Sequence, residues 1–265
     1  MGPLKLITNI ILFLLCSTFI SSAFAIPIKT AAFGNINYAH VDGFVQTPKG
    51  GSFGTTNMGR PDFDELDIAH DKFYSFGLEV TVCDYFGLLE YSHFDPHGST
   101  ILTQELITHS QLIPAGHSFD MNLEFDWYAL GIGKNFFWNQ TWTVSPQILL
   151  SWVKYHYEFQ APPIESARNF SLIGANIGLK LAHYFTPQLS ADVKALIPLP
   201  LSNIHIIDVN AGLGLDIASS SHVTVIPRLA IGWLQLEYKD EQPIPNYIRY
   251  RASPYGSFEL KVLFD

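Results

Sequence analysis

The chain has 265 residues, a formal net charge of −9, 48% hydrophobic residues and only 15% charged ones. So acidic a chain argues against a nucleic-acid role, since binding a phosphate backbone needs an extensive basic surface. With an aromatic content of 14% and fewer charges than the roughly 25% usual in soluble domains, the composition suits a surface that meets lipid.

Residues 1–25 read as an export signal. Lys5 precedes an apolar stretch from Leu6 to Ile20, and Ser21-Ser22-Ala23-Phe24-Ala25 supplies a small-residue A-x-A pattern with the cut expected after Ala25. The apolar stretch is shorter than the roughly 20 residues of a spanning helix. Cys16 leaves with the signal, so Cys83 stands alone and no intramolecular disulfide can form. The mature chain, 26–265, carries 14 basic and 24 acidic residues.

The remainder alternates apolar and polar residues with a period of two. A loose strand around Ile36, Tyr38 and Phe44 comes first, followed by Tyr74, Phe76, Leu78, Val80 and Val82 against Ser75, Gly77, Glu79 and Thr81. Residues 86–94 are the least regular segment. Phe119, Met121, Leu123, Phe125 and Trp127 against Asp120, Asn122, Glu124 and Asp126 form the cleanest run. Five more runs cover 141–152, 173–181, 189–199, 207–217 and 223–233, and the last opposes Phe258, Leu260, Val262 and Phe264 to Ser257, Glu259 and Lys261. The count is ten strands, with eight as the alternative.

Connections alternate in length. Long or medium ones are expected at 48–69, 96–117, 160–168 and 239–247, and tight ones near Cys83, at 135–140, at Thr186-Pro187 and at 219–222. Aromatic clusters fall where strands should end: Tyr85-Phe86, Phe136-Phe137-Trp138 and Tyr184-Phe185 at tight turns, and Phe73-Tyr74, Tyr155, Tyr157, Phe159, Phe170, Tyr247 and Tyr250 beside longer loops. Long loops on one side, tight turns on the other and two aromatic girdles are the pattern of a membrane barrel. The expectation is therefore an all-β, closed, antiparallel, up-and-down transmembrane β-barrel in the bacterial outer membrane, with every backbone polar group paired by closure.

With its signal peptide, alternating strands and terminal run Phe258-Glu259-Leu260-Lys261-Val262-Leu263-Phe264-Asp265, the chain resembles the small outer-membrane β-barrels of Gram-negative bacteria, the broad class of OmpA-type and opacity-type barrels. Members usually end on the aromatic itself, one residue short of Asp265. The resemblance implies an assembly machinery that reads the final strand, surroundings of outer-membrane lipid and lipopolysaccharide, and a monomer.

If apolar alternates face lipid throughout, the lumen receives Glu79, Glu90, Asp120, Asn122, Glu124, Asp126, Lys180, Asp192, Lys194, Asp208, Asp216, Arg228, Glu259 and Lys261. Ten strands leave little continuous space, so these groups should pair and largely plug the bore. The excess of acids keeps a small cation-preferring diffusion pore as the alternative. The first long loop joins a glycine-rich stretch to an acidic one, and Arg60, Asp62, Phe63, Asp64 and Glu65 are candidates for contact with a host or surface ligand. The plainer reading has Phe63, Leu66 and Ile68 anchoring that loop to the rim.

Barrel enzymes are the second alternative: omptin-type proteases use acid pairs and a His–Asp pair, and lipid A-modifying enzymes use His with Ser. The sequence offers His70-Asp71 and, around the second long loop, His93, Asp95, His97, His109 and His117. It contains no Gly-x-Ser-x-Gly, no His-Glu-x-x-His and no paired-cysteine metal signature. No catalytic, cofactor-binding or metal-binding residue is assigned, and no cofactor is expected.

Overall fold

The computed structural model describes residues 28–46, 61–108, 111–219, 222–242 and 245–264. The export signal, its cut after Ala25, Arg60 and His109 lie outside them. Ten strands build the wall: β1 Ile28–Gln46, β2 His70–Val82, β3 Tyr85–Phe94, β4 Ser118–Lys134, β5 Trp142–Ala161, β6 Ile164–Tyr184, β7 Leu189–Pro198, β8 Ile204–Leu215, β9 Val223–Lys239 and β10 Tyr247–Phe264. Each is antiparallel to its neighbours in sequence, and β1 closes on β10 from Thr30↔Phe264 to Gln46↔Tyr247. The architecture is a closed up-and-down barrel of ten strands, and the irregular segment 86–94 is a full member of it.

Two loop expectations need correction. Residues 160–168 are not a loop: β5 and β6 pair up to Ala161↔Ile164, so only Pro162 and Pro163 turn the chain. The segment 96–117 begins by prolonging β3, because His97–Ile101 pairs with β4 from His97↔Asn122 to Ile101↔Ser118. It then forms a small hairpin, Leu106–Thr108 with Gln111–Ile113.

The outer surface divides into two zones. Near the tight turns it carries an apolar belt that includes Phe76, Leu89, Leu130, Ile132, Ile148, Leu150, Ile177, Leu213, Leu229 and Phe258, all exposed. One aromatic ring, with Tyr85, Phe137, Trp142 and Tyr184, borders the belt at the turn end, and Tyr38, Tyr74, Tyr91, Tyr128, Trp152 and Trp233 border it at the other; of the residues expected in that second ring, Phe73, Tyr155, Tyr157, Phe159 and Tyr250 instead turn inward and are buried. Register places Tyr91 beside Tyr128 and Tyr128 beside Trp152. From Trp142 to Trp152, ten residues at about 3.3 Å each and a tilt of about 40° span about 25 Å, the height of a lipid-facing band.

Beyond this second ring the strands do not stop. β5 runs nine residues further, to Ala161, which by the same rise and tilt carries the wall about 23 Å past the belt. There the outward residues become Asp120, Asn122, Glu124 and Asp126 on β4, and Lys154, His156, Glu158 and Gln160 on β5. The inward ones become Phe119, Met121, Leu123, Phe125 and Trp127, all at most 5% exposed, together with Val153, Tyr155, Tyr157 and Phe159. Side chains alternate across a strand, so one continuous alternation serves both zones while the two faces exchange polarity at the Tyr128–Trp152 ring. In lipid the apolar residue must face out; in water it must face in.

Candidate functional site

Within the belt the bore holds a chamber of about 450 Å³ with polar walls. The carboxylates on its lining, Glu79, Glu90, Asp192, Asp208 and Glu259, are matched in number by Lys29, Lys180, Lys194, Arg228 and Lys261. Charges taken out of bulk water need partners, and most have them. Arg228 on β9 grips Asp192 on β7 with two hydrogen bonds, Nε to Oδ2 at 2.8 Å and Nη2 to Oδ1 at 2.7 Å. It also donates to Asn210 Oδ1 at 2.8 Å and lies 3.9 Å from Glu259. Asp208 accepts from Tyr255 Oη at 2.8 Å and from Asn210 at 3.2 Å. Lys261 reaches Glu79 at 3.4 Å, and Lys194 reaches Glu90 at 3.7 Å.

Small residues make room for these groups. A Cβ on Gly212 would lie 2.6 Å from the Arg228 guanidinium, so the absence of a side chain there lets the arginine lie flat against β8. Lys180 makes no ion pair among the described residues and stands beside Lys194 in register.

Towards the loop end, Phe73, Phe94, Trp127, Leu234 and Tyr255 form the chamber's last lining residues, and a buried, largely aromatic and aliphatic core begins behind them. Phe94 stacks on Phe125 at 4.3 Å and on Phe73 at 4.6 Å, and meets Tyr250 of β10 edge-on at 5.4 Å. Phe125 lies 4.9 Å from Tyr250 and 5.5 Å from Tyr155. β3 and β10 are separated by two strands on the wall, so these rings meet across the bore. Further round, Phe170 of β6 contacts Tyr238 of β9 at 5.8 Å. A polar link enters this layer from the wall, Tyr250 Oη donating to Asp71 at 2.8 Å.

The described part of the first loop completes the core. Phe63 and Leu66 are fully buried, Ile68 is 2% exposed, and Phe63 lies 6.3 Å from Tyr250. The segment is pinned by Phe63 N donating to Gly43 O at 2.9 Å and by a reciprocal pair, Glu65 N to Asp62 Oδ1 and Asp62 N to Glu65 Oε2. The anchoring reading of this loop describes its packing. Of the contact candidates, Phe63 is buried, while Asp62, Asp64 and Glu65 remain exposed. From the second loop Leu102, Leu106 and Ile113 join the same core.

The lumen expectations divide accordingly. Glu79, Glu90, Lys180, Asp192, Lys194, Asp208, Arg228, Glu259 and Lys261 line the chamber. Asp120, Asn122, Glu124 and Asp126 do not: they face outward above the belt, because their strand is longer than the membrane it crosses. Asp216 lies just past β8, its N–H donating to Gln188 O at 2.8 Å, and partial burial there pushes its carboxyl above the ordinary value. With Asp120, Glu124 and Asp126 outside, Asp216 off the lining and Lys29 added to it, five acids face five bases and the acid excess expected in the bore disappears.

The histidine candidates separate too. His70 points outward and stacks on Tyr38 at 5.4 Å, whereas Asp71 points inward, so these sequence neighbours cannot act together. His93 instead meets Asp126 across strands, Nδ1 to Oδ1 at 2.9 Å, and Asp126 also accepts from Tyr91 Oη at 2.7 Å. That trio sits on the outer wall. No pattern in the sequence pairs His93 with Asp126; their separation of 33 positions is bridged only by the β3–β4 register. His97 rests on the Asp95 carbonyl at 3.2 Å, and no cluster of three metal-ligating side chains forms among the described residues.

Closure, the belt and its two aromatic rings decide the architecture. It is a membrane-spanning β-barrel of the outer-membrane type. No family model matches the sequence, and no curated protein does. Among solved structures the chain is similar to Ail of Yersinia pestis in complex with the heparin analogue sucrose octasulfate, at 10% identity and a TM-score of 0.35, over 89% of this chain and 97% of that one. It is similar to the translocator domain of the autotransporter NalP from Neisseria meningitidis at 13% identity and 0.41, covering 90% and 88%. It is also similar to the outer membrane protease OmpT of Escherichia coli at 8% and 0.36, covering 89% and 95%.

Proposed function

We propose that this barrel of the outer membrane is non-enzymatic and closed to diffusion, and that it serves as a rigid pedestal holding its loops well clear of the lipid. The observation that carries this reading is the aromatic core that crosses the bore beyond the belt. A pore would need water along its axis; here Phe94, Phe125 and Tyr250 occupy it in mutual contact. On this reading the tight turns are periplasmic and the aromatic core and loops extracellular. The chamber opens towards the periplasm and ends blindly.

The exposed acids Asp62, Asp64 and Glu65, held by the buried Phe63, form the surface offered to a host or other partner. The assembly machinery and lipopolysaccharide are the other partners, and the protein works as a monomer. The cation-preferring pore loses its support once the chamber's charges balance.

Single-channel recording of the refolded mature chain in a planar bilayer tests the reading. A silent bilayer with independently verified insertion is expected, and the combined substitution Phe94→Ala, Phe125→Ala and Tyr250→Ala should introduce conductance. Steady conductance from the wild-type chain would overturn closure.

A further inference from the structure

The wall above the belt is electrically two-sided. On β4, β5 and β6 its outward positions carry Asp120, Glu124, Asp126, Glu158 and Glu165 against the single Lys154. On β9, β10, β1 and β2 they carry Lys72, Lys239, Arg249 and Arg251 against Asp42 and Glu237. The cationic side also holds His40 and His70, neighbours in register whose rings lie 5.6 Å apart.

These cations are available to a partner. Arg249 makes no ion pair among the described residues and lies over the Phe44 ring at 4.7 Å. Its acidic neighbour in register, Glu237, is engaged by Tyr247 at 2.6 Å and Gln235 at 2.9 Å. Arg251 has one 3.4 Å contact with Asp42, and Lys72 makes no ion pair among the described residues. Height matters as much as charge. Lys72 pairs in register with Tyr38 of the aromatic ring, and Arg251 pairs with Asp42, four residues further up β1. The cations therefore start where the lipid-facing surface of Ile36, Tyr38 and Phe76 ends.

We propose that Lys72, Arg249 and Arg251 form a binding face for the phosphate groups of anionic lipid in the leaflet around the barrel. The proposal rests on the reading of the chain as a membrane-spanning barrel. Lipid acyl chains already lie against the belt below, so a headgroup phosphate is brought to this height without a separate docking step. A guanidinium offers planar paired donors to phosphate, and the ammonium a point charge. Juxtamembrane cations gain attraction to an anionic surface, within a Debye length of it. Further round the barrel the acidic wall repels the same headgroups, so anionic lipid is held on one side.

Native mass spectrometry of the refolded mature chain, released from micelles doped equally with phosphatidylcholine and phosphatidic acid, tests this. The wild-type chain should retain phosphatidic acid in preference. The variant Lys72→Gln/Arg249→Gln/Arg251→Gln should lose roughly fivefold of that preference for each cation removed. The acidic-wall variant Asp120→Asn/Glu124→Gln should keep it, as should Arg249→Lys/Arg251→Lys to a large degree. Equal retention of the two lipids, or a preference unchanged in the triple variant, overturns the proposal. Displacement of the lipid by millimolar inorganic phosphate would make this a site for soluble anions, and self-association abolished by substituting either wall would make it a contact between copies; both outcomes overturn it. Insertion into neutral phosphatidylcholine vesicles, read separately by heat-modifiable gel migration, keeps failure of the barrel reading distinct from failure of this one.

Discussion

Phe125 and Asp126 are adjacent residues whose assignments reverse when the wall is followed past the membrane, and their substitution separates the two descriptions. Phe125 is 1% exposed and packed against Phe94, Tyr155 and Tyr250 at 4.3, 5.5 and 4.9 Å between ring centroids. Truncating a buried phenylalanine in such a core removes its transfer energy and leaves a cavity, a loss of about 3–5 kcal/mol. Asp126 is about one-third exposed on the outer wall, and its partners are His93 and Tyr91. Replacing it with Asn keeps an acceptor and removes one partly exposed charge, which costs about 1 kcal/mol or less. Urea unfolding of the barrel in lipid vesicles, followed by tryptophan fluorescence, measures both. Were Asp126 a lumen carboxylate and Phe125 a lipid-facing ring, the order would invert. A Phe125→Ala loss below about 1 kcal/mol, beside a larger one for Asp126→Asn, would refute the exchange of faces.

Other substitutions probe the chamber and its orientation. Arg228→Met leaves Asp192 and Glu259 without their common partner and should cost about 3–5 kcal/mol in the same assay; adding Asp192→Asn should recover part of it. Gly212→Val places a branched side chain where the guanidinium lies, and the overpacking should cost about 1–3 kcal/mol. Cys83 is exposed at a tight turn and Leu112 in the hairpin of the second loop. A membrane-impermeant maleimide should therefore label a Leu112→Cys/Cys83→Ser chain on intact cells, and should reach Cys83 only after the outer membrane is permeabilised.

Much of the architecture was legible because a period of two needs no tertiary information. On β2 and β8 the apolar alternates, Phe76 or Leu213 among them, do face lipid, and Glu79 and Asp208 do face the bore. β4 misled because alternation defines two faces without saying which is inside; that depends on the solvent at each height. Its cleanest run, 119–127, lies wholly above the lipid. The warning was present in strand length, since a crossing needs about 9–11 residues while β4 and β5 have 17 and 20. Tyr128 and Trp152, interfacial residues in the middle of continuous runs, mark where the solvent changes. The Arg228–Asp192 and His93–Asp126 pairs were not legible, since each needs the register between strands.

The exchange of faces is tested most directly by nitroxide scanning of the outward positions of β4 in lipid vesicles, at 120, 122, 124, 126, 128, 130 and 132. Accessibility to a water-soluble nickel complex should be high from 120 to 126 and fall at 128, with accessibility to oxygen high at 130 and 132. Nickel exclusion that persists from 132 up to 120, or low accessibility to both reagents at 120–126, would contradict a wall that leaves the membrane at Tyr128 with its polar face outward.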